Sequence, residues 1–266
     1  MVYRKAVNLP EEKKNAEIRA MIETYGKQAD FTDYSSLEPI LQELSEINEA
    51  AGDPDCFREE TMEFYEAVNA RQSVRQFTDE AIPVETLKRI VEAGYKAPAN
   101  DHFRDWHYIV VTDKEIMKQA VNGVPKNLTV RDVESMTFIS DPVQKKSYQI
   151  AVPLQYRMLT EAAALIIPLM KKKTDILHPA SLSDLNCYAS IWCSIENIWL
   201  AAAAEGYGCN VRIPLGNEES IAREALGFPD SFMIPCFIGI GRPRKDAVPV
   251  KQLDVRIEEQ IHWNHF

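Results

Sequence analysis

A chain of 266 residues, 45% of them hydrophobic, can close one sizeable core, or one core with an appended segment. Its 30 basic and 40 acidic side chains leave a net charge of −10, which excludes the broad basic face that nucleic acids and anionic membranes require. The five cysteines (Cys56, Cys187, Cys193, Cys209 and Cys236) are odd in number and show no CxxC spacing, so they argue against a metal or redox-pair centre and for buried free thiols in a reducing compartment.

The first 60 residues are polar. Apolar positions recur at helical spacing in Glu11–Tyr25 and again in Leu37–Ile47, before Asp53-Pro54-Asp55 breaks the pattern. Two short helices cannot close a core alone, so residues 1–60 read as a helical N-terminal extension and 61–266 as the main domain. Met1–Ala20 is charged throughout, unlike a signal peptide. The longest apolar run, Ala162–Met170, is far short of the roughly 20 residues that span a bilayer. These features predict a cytoplasmic protein with no membrane partner.

Phe64–Ala70 reads as a short helix leading into Arg71-Gln72-Ser73-Val74-Arg75. Two guanidiniums and a hydroxyl within five residues make either a compact anion grip or a solvated basic turn. Ile82-Pro83 opens a helix whose stripe is Leu87, Ile90 and Val91, ending near Gly94. A loop then carries Pro98, Asn100, Asp101, His102 and Arg104; it can place amides over a ligand or be ordinary surface. His107–Thr112 reads as a buried strand. Residues 113–150 look irregular, with one helix at Lys114–Asn122, and could form a lid or a surface excursion.

Ala163–Leu169 predicts a second strand with Pro168 near its end. Ser183–Glu205 is apolar on more than one face, as a central helix or an oligomer interface would be. Gly206 stops it. Cys209–Leu215 suggests a third strand or strand edge, Glu218–Leu226 a helix closed by Gly227, and Met233–Ile240 a fourth strand. The interleaving gives α+β or α/β with a small sheet. The aromatic tail with His262, Trp263, His265 and Phe266 suits docking on the body or on a partner better than binding a metal, since no carboxylates accompany the histidines.

Several short motifs then fall in one order. They are Arg71-Gln72-Ser73-Val74-Arg75-Gln76-Phe77, Ile82-Pro83, Ala97-Pro98-Ala99-Asn100 through Trp106, Ile195-Glu196-Asn197, Gly206-Tyr207-Gly208, Leu226-Gly227-Phe228-Pro229, Ile238-Gly239-Ile240-Gly241-Arg242-Pro243 and His262-Trp263. In this order, over residues 61–266, the chain resembles the nitroreductase superfamily of flavoenzymes. The resemblance implies an α+β nitroreductase-like fold, a small mixed central β-sheet flanked by helices, in an intertwined homodimer with FMN at the interface. It implies that Arg71, Gln72 and Ser73 hold the phosphate and ribityl chain, and that Arg75 tunes the flavin N1/O2 edge. Pro98 and Ala99 would line the ring. His102 takes the family's asparagine position, and Arg212-Ile213-Pro214-Leu215-Gly216 would approach the flavin, with a backbone N–H near N5.

The departures are Ala99 for serine, His102 for asparagine, and Arg104-Asp105 for Gln-Pro. The family's basic residue near the C-terminus is missing in register; Lys251, Arg256, Arg244 or Arg242 could replace it, and Arg242 is placed in the expected cofactor set. The activity implied is ping-pong hydride transfer from NADH or NADPH, through FMN, to an electron-poor small molecule such as a nitroaromatic, quinone, enone or halophenol. Catalysis would then be flavin-borne, with no catalytic side chain and no metal. Reductive dehalogenation, a flavin reservoir or sensor without turnover, and flavin destruction are the alternatives within the resemblance. A structural protein without flavin is the alternative outside it.

Overall fold

The run Ala-Leu-Ile-Ile-Pro-Leu-Met has no polar alternation, and a strand of that kind needs cover on both faces. The computed structural model describes residues 62–102, 104–247 and 255–266, all within a compact unit spanning 61–266. In it the run is β2 (Ala164–Lys171), buried along all but its last residue. The two expected N-terminal helices, Cys56, Phe103 and Lys251 lie outside the described residues.

β1 (Trp106–Val111) pairs with β2 from Trp106↔Met170 to Val111↔Leu165. On the other side of β2, the strand β5 (Phe237–Gly241) pairs at Ala164–Ile166 and the short β4 (Phe232–Met233) at Met170–Lys171. β3 (Gly208–Arg212) lies outside β5, giving the order β1-β2-β5-β3. All four ladders are antiparallel, which corrects the expected mixed sheet; the one parallel pairing described is the isolated bridge between Ser73 and Cys209. Pro168 stands inside β2, not near its end. It is tolerated because β2 has no ladder partner on the β4/β5 side at that residue, so no hydrogen bond is lost there. The single strand expected at Met233–Ile240 is split into β4 and β5.

Alternation along β2 divides the core. Ala164, Ile166 and Met170 face one cluster with Ile90, Ile191 and Ile198, from α2 (Val84–Tyr95) and α7 (Asn186–Ala204). Leu165, Ile167 and Leu169 face another with Met117, Leu159 and Ala222, from α3 (Lys114–Ala120), α6 (Arg157–Thr160) and α8 (Glu218–Leu226). Each fully buried isoleucine stabilises the fold by about 1.5–3 kcal/mol. At the sheet edge Gly208 lies against Val74 so closely that a Cβ there would fall inside the valine side chain. Only glycine lets the Arg71–Arg75 segment approach β3 at this depth.

The segment expected to be irregular is helical. Besides α3 it holds α4 (Val130–Glu134) and α5 (Pro142–Leu154). Caps, not apolar periodicity, specify them: a Thr129/Asp132 capping box, and Asp141 accepting from the Gln144 N–H at 2.7 Å ahead of Pro142. α5 has no buried residue, which is why hydrophobic spacing does not reveal it. α7 is preceded by a 3-10 turn at Leu182–Leu185 and exposes Ala189, Cys193 and Glu196 on its outer face. Cys193 is therefore not a buried thiol and Cys187 is half-buried, while Cys209 and Cys236 are buried as expected. The tail, with α9 (Ile257–Gln260), stays exposed; Trp263 is 83% exposed and does not dock on its own body. Among the described residues no helix is long and apolar enough to cross a membrane.

Candidate functional site

The Arg71–Arg75 segment begins at the end of α1 (Phe64–Ala70), where the Arg71 N–H caps onto the Ala67 carbonyl at 2.9 Å. The Arg71 side chain reaches α7: its Nε lies 3.4 Å from Glu196 Oε1, and its guanidinium sits 5.4 Å from the Trp199 ring centroid. Partial burial raises the Glu196 carboxyl above its ordinary range, with Arg71 opposing the shift. Gln72 is exposed and Ser73 half-buried. Val74 is buried and held by its peptide groups, its N–H donating to the Cys209 carbonyl at 2.8 Å and its carbonyl accepting from Asn210 Nδ2 at 3.0 Å.

Arg75 is half-buried, and desolvation lowers its pKa. Among the described residues its guanidinium has no hydrogen-bond or ion-pair partner. A partly desolvated cation without a counter-charge is costly, and five donors in a planar fork are left to a ligand. Arg71 and Gln72 line one cleft with Trp199, Tyr207 and Pro243.

The second expected segment follows α2. Ala97 is fully buried and anchors it; Pro98 is exposed and Ala99 half-buried. The Asn100 N–H donates to Ser190 Oγ on α7 at 3.0 Å. His102 and Arg104 both adopt left-handed backbone, at φ 55° and 45°, a strain of order 1 kcal/mol or more each that tends to gather at ligand loops. Arg104 is fixed by its Nε donating to the Tyr95 carbonyl at 2.9 Å, whereas the His102 side chain is exposed. Ala99 and Arg104 line a different cleft with Met170, Cys187 and Ser190. Ser190 and Trp199 are nine positions apart on α7, about 14 Å at 1.5 Å per residue.

In the third segment the strand stops at Arg212, and residues 213–217 form a loop instead of continuing to Leu215. Ile213, Leu215 and Gly216 are exposed and Pro214 half-buried. Arg242, expected in the cofactor set, pairs instead with Glu80 at 2.7 Å and lies 5.1 Å from the Tyr207 ring centroid; that carboxylate raises its pKa. The other described candidates for the missing basic residue are engaged too, Arg244 with Asp246 and Arg256 with Glu259, each at 2.6 Å. Sequence reasoning overlooked Glu196 and Trp199 as partners of Arg71, and Asn210 as the group holding Val74. A lone asparagine between Cys209 and Val211 in an apolar strand is the signal that could have flagged the last.

Residues 68–242 match the Nitroreductase family model. The chain belongs to the nitroreductase family. Iodotyrosine deiodinase 1 of Sus scrofa is 36% identical over 201 residues, covering 73% of this chain and 67% of that protein. An NADPH-dependent oxidoreductase of Staphylococcus haemolyticus is 27% identical over 203 residues, covering 75% and 72%. Among solved structures, oxidized iodotyrosine deiodinase bound to FMN and 3-iodo-L-tyrosine superposes with a TM-score of 0.58 at 18% identity, covering 77% of this chain and 100% of that one. At that identity the superposition establishes the nitroreductase-like fold.

Proposed function

We propose that this nitroreductase-family oxidoreductase uses FMN to pass a hydride from NADH or NADPH to an electron-poor small molecule. The observation that carries the reading is Arg75, a half-buried guanidinium with no protein partner among the described residues, on a backbone locked to β3. Bound FMN would supply two-electron chemistry, taking a hydride from the nicotinamide and giving it to the acceptor. Arg75 would hold the negative charge of the reduced isoalloxazine, Ser73 and Gln72 would donate to the ribityl and phosphate oxygens, and Arg71 would add charge at the phosphate end. Pro98, Ala99 and His102 would border the ring, and residues 213–216 would face it from the other loop. Arg242 is a weaker candidate, since Glu80 already neutralises it.

The same reading includes a homodimer. Along α7, Ser190 of the Ala99 cleft and Trp199 of the Arg71 cleft are about 14 Å apart. A two-fold partner laid antiparallel on α7 would bring one protomer's Ala99 end to the other's Arg71 end. The exposed Phe64, Tyr65 and Trp263 offer apolar surface for that contact. The 36% identical iodotyrosine deiodinase favours reductive dehalogenation of a halophenol as a second reading of the acceptor. An absorbance spectrum of the purified protein, followed by anaerobic titration with NADH and NADPH, tests the first reading: flavin absorbance bleached by a nicotinamide is expected, and a colourless protein that takes up no added FMN overturns it. Re-oxidation by 3-iodotyrosine with iodide release would select the second.

A further inference from the structure

A buried, bidentate ion pair closes the loop after β3. Arg212, the last residue of that strand, donates from Nε to Glu218 Oε2 at 3.1 Å and from a terminal nitrogen to Glu218 Oε1. Its other terminal nitrogen donates to Gln155 Oε1 at 2.5 Å. Glu218 is the first residue of α8 and only 3% exposed; Gln155 caps the C-terminus of α5.

The loop between Arg212 and Glu218 has little else to hold it. Ile213 is 51% exposed and Leu215 63%. Gly216 sits at φ 56° with open space where a Cβ would be. The amides of Leu215, Gly216 and Asn217 find no acceptor among the described residues, although the Glu218 N–H turns back to the Leu215 carbonyl at 3.1 Å. Consecutive amides without acceptors ahead of a helix can donate to a ligand, and the Arg212–Glu218 fork ties together the two ends of the loop that carries them.

A buried ion pair seldom stabilises a fold more than a well-packed apolar pair of the same size. What it adds is direction, because two parallel charged hydrogen bonds fix both distance and plane. We propose that Arg212, Glu218 and Gln155 are positioning residues: they form a clamp that fixes the loop after β3, whose residues 213–216 are read above as facing the flavin, and that couples this loop to the end of α5. The assignment rests on the flavin site proposed above.

The test compares the full-length protein with Glu218→Gln and with the apolar pair Arg212→Met/Glu218→Leu. Hydrogen exchange of residues 213–217 is followed without flavin. The FMN midpoint potential and the rate of anaerobic reduction by NADPH are followed with it. The clamp predicts that the apolar pair keeps the wild-type melting temperature while exchange in the loop accelerates and the potential shifts. Reduction should slow about tenfold or more, as small misplacements of reacting groups do. Wild-type exchange, potential and rate in both variants would overturn it. If the double variant does not fold, Glu218→Gln decides alone. A wild-type protein that binds no flavin would defeat the proposed function instead, and the exchange measurement would still decide the clamp.

Discussion

The side-chain amide of Asn210 donates to the Val74 carbonyl at 3.0 Å, joining residues 136 positions apart in the chain. The same nitrogen donates to the Met158 carbonyl at 3.0 Å, and Asn210 is 1% exposed. One amide therefore holds the Arg71–Arg75 segment and α6 to the edge of the sheet. Asn210→Ala would leave two buried carbonyls without donors, at a cost of about 2–4 kcal/mol. Urea unfolding should show the lower midpoint, and FMN affinity should fall with it because Arg75 begins where Val74 ends. Unchanged stability would mean that water replaces the amide.

The elements legible in the sequence are those whose burial is written in local spacing. α8 is predicted and found at Glu218–Leu226, since Ala222 faces the core and Gly227 terminates the helix. β2 is legible as an apolar run. α4 and α5 are not, because caps mark their starts and α5, despite its apolar residues, buries none of them. In the candidate site, residue types were legible and pairings were not. Arg242 is engaged by Glu80, 162 positions away, and Arg71 by Glu196 on α7, a pairing between segments far apart in the chain. Whether a basic side chain is free for a ligand depends on such long-range partners, and periodicity carries no record of them.

The Arg71–Glu196 pair predicts a pH dependence. Partial burial raises the Glu196 carboxyl above its ordinary value of 4.5, so the folded protein holds that proton more tightly than the unfolded chain. Its contribution to stability is present at low pH and lost as pH rises through the interval above 4.5. Glu196→Gln abolishes the titration. The urea midpoints of variant and wild type should run parallel below that interval and then diverge in the variant's favour. The divergence should be small, because the carboxylate is about half exposed and solvent screens it. A gap that opens in the opposite direction would show that the ion pair outweighs the burial.

Cys193 reports on the dimer. It is exposed on the outer face of α7, whereas Cys209 and Cys236 are buried, with thiol pKa values pushed up by desolvation. In a Cys56→Ser background a thiol reagent should find Cys193 the fastest of these three in a monomer. If α7 forms the proposed interface, Cys193 should be protected at high protein concentration and become reactive on dilution. Reactivity independent of concentration, in a protein that sediments as a dimer, would place the interface elsewhere.

Arg75 should show opposite effects on stability and on binding. Without flavin it is a half-buried cation lacking a partner among the described residues, and burial lowers its pKa. Arg75→Met keeps the length of the stem and removes the charge, so the flavin-free protein should gain about 0.5–2 kcal/mol, as sites that trade stability for function commonly do. FMN should bind at least about tenfold more weakly, a loss of roughly 1.4 kcal/mol, and the potential of the remaining bound flavin should fall, since the reduced, anionic form loses its counter-charge. Arg75→Lys keeps a charge without the fork and should fall between the two in affinity. Thermal melts of flavin-free protein, fluorescence titrations with FMN and dye-coupled potentiometry read the three quantities separately. A variant that loses stability without flavin would mean that Arg75 has a structural partner, and its assignment to the flavin would then have to be withdrawn.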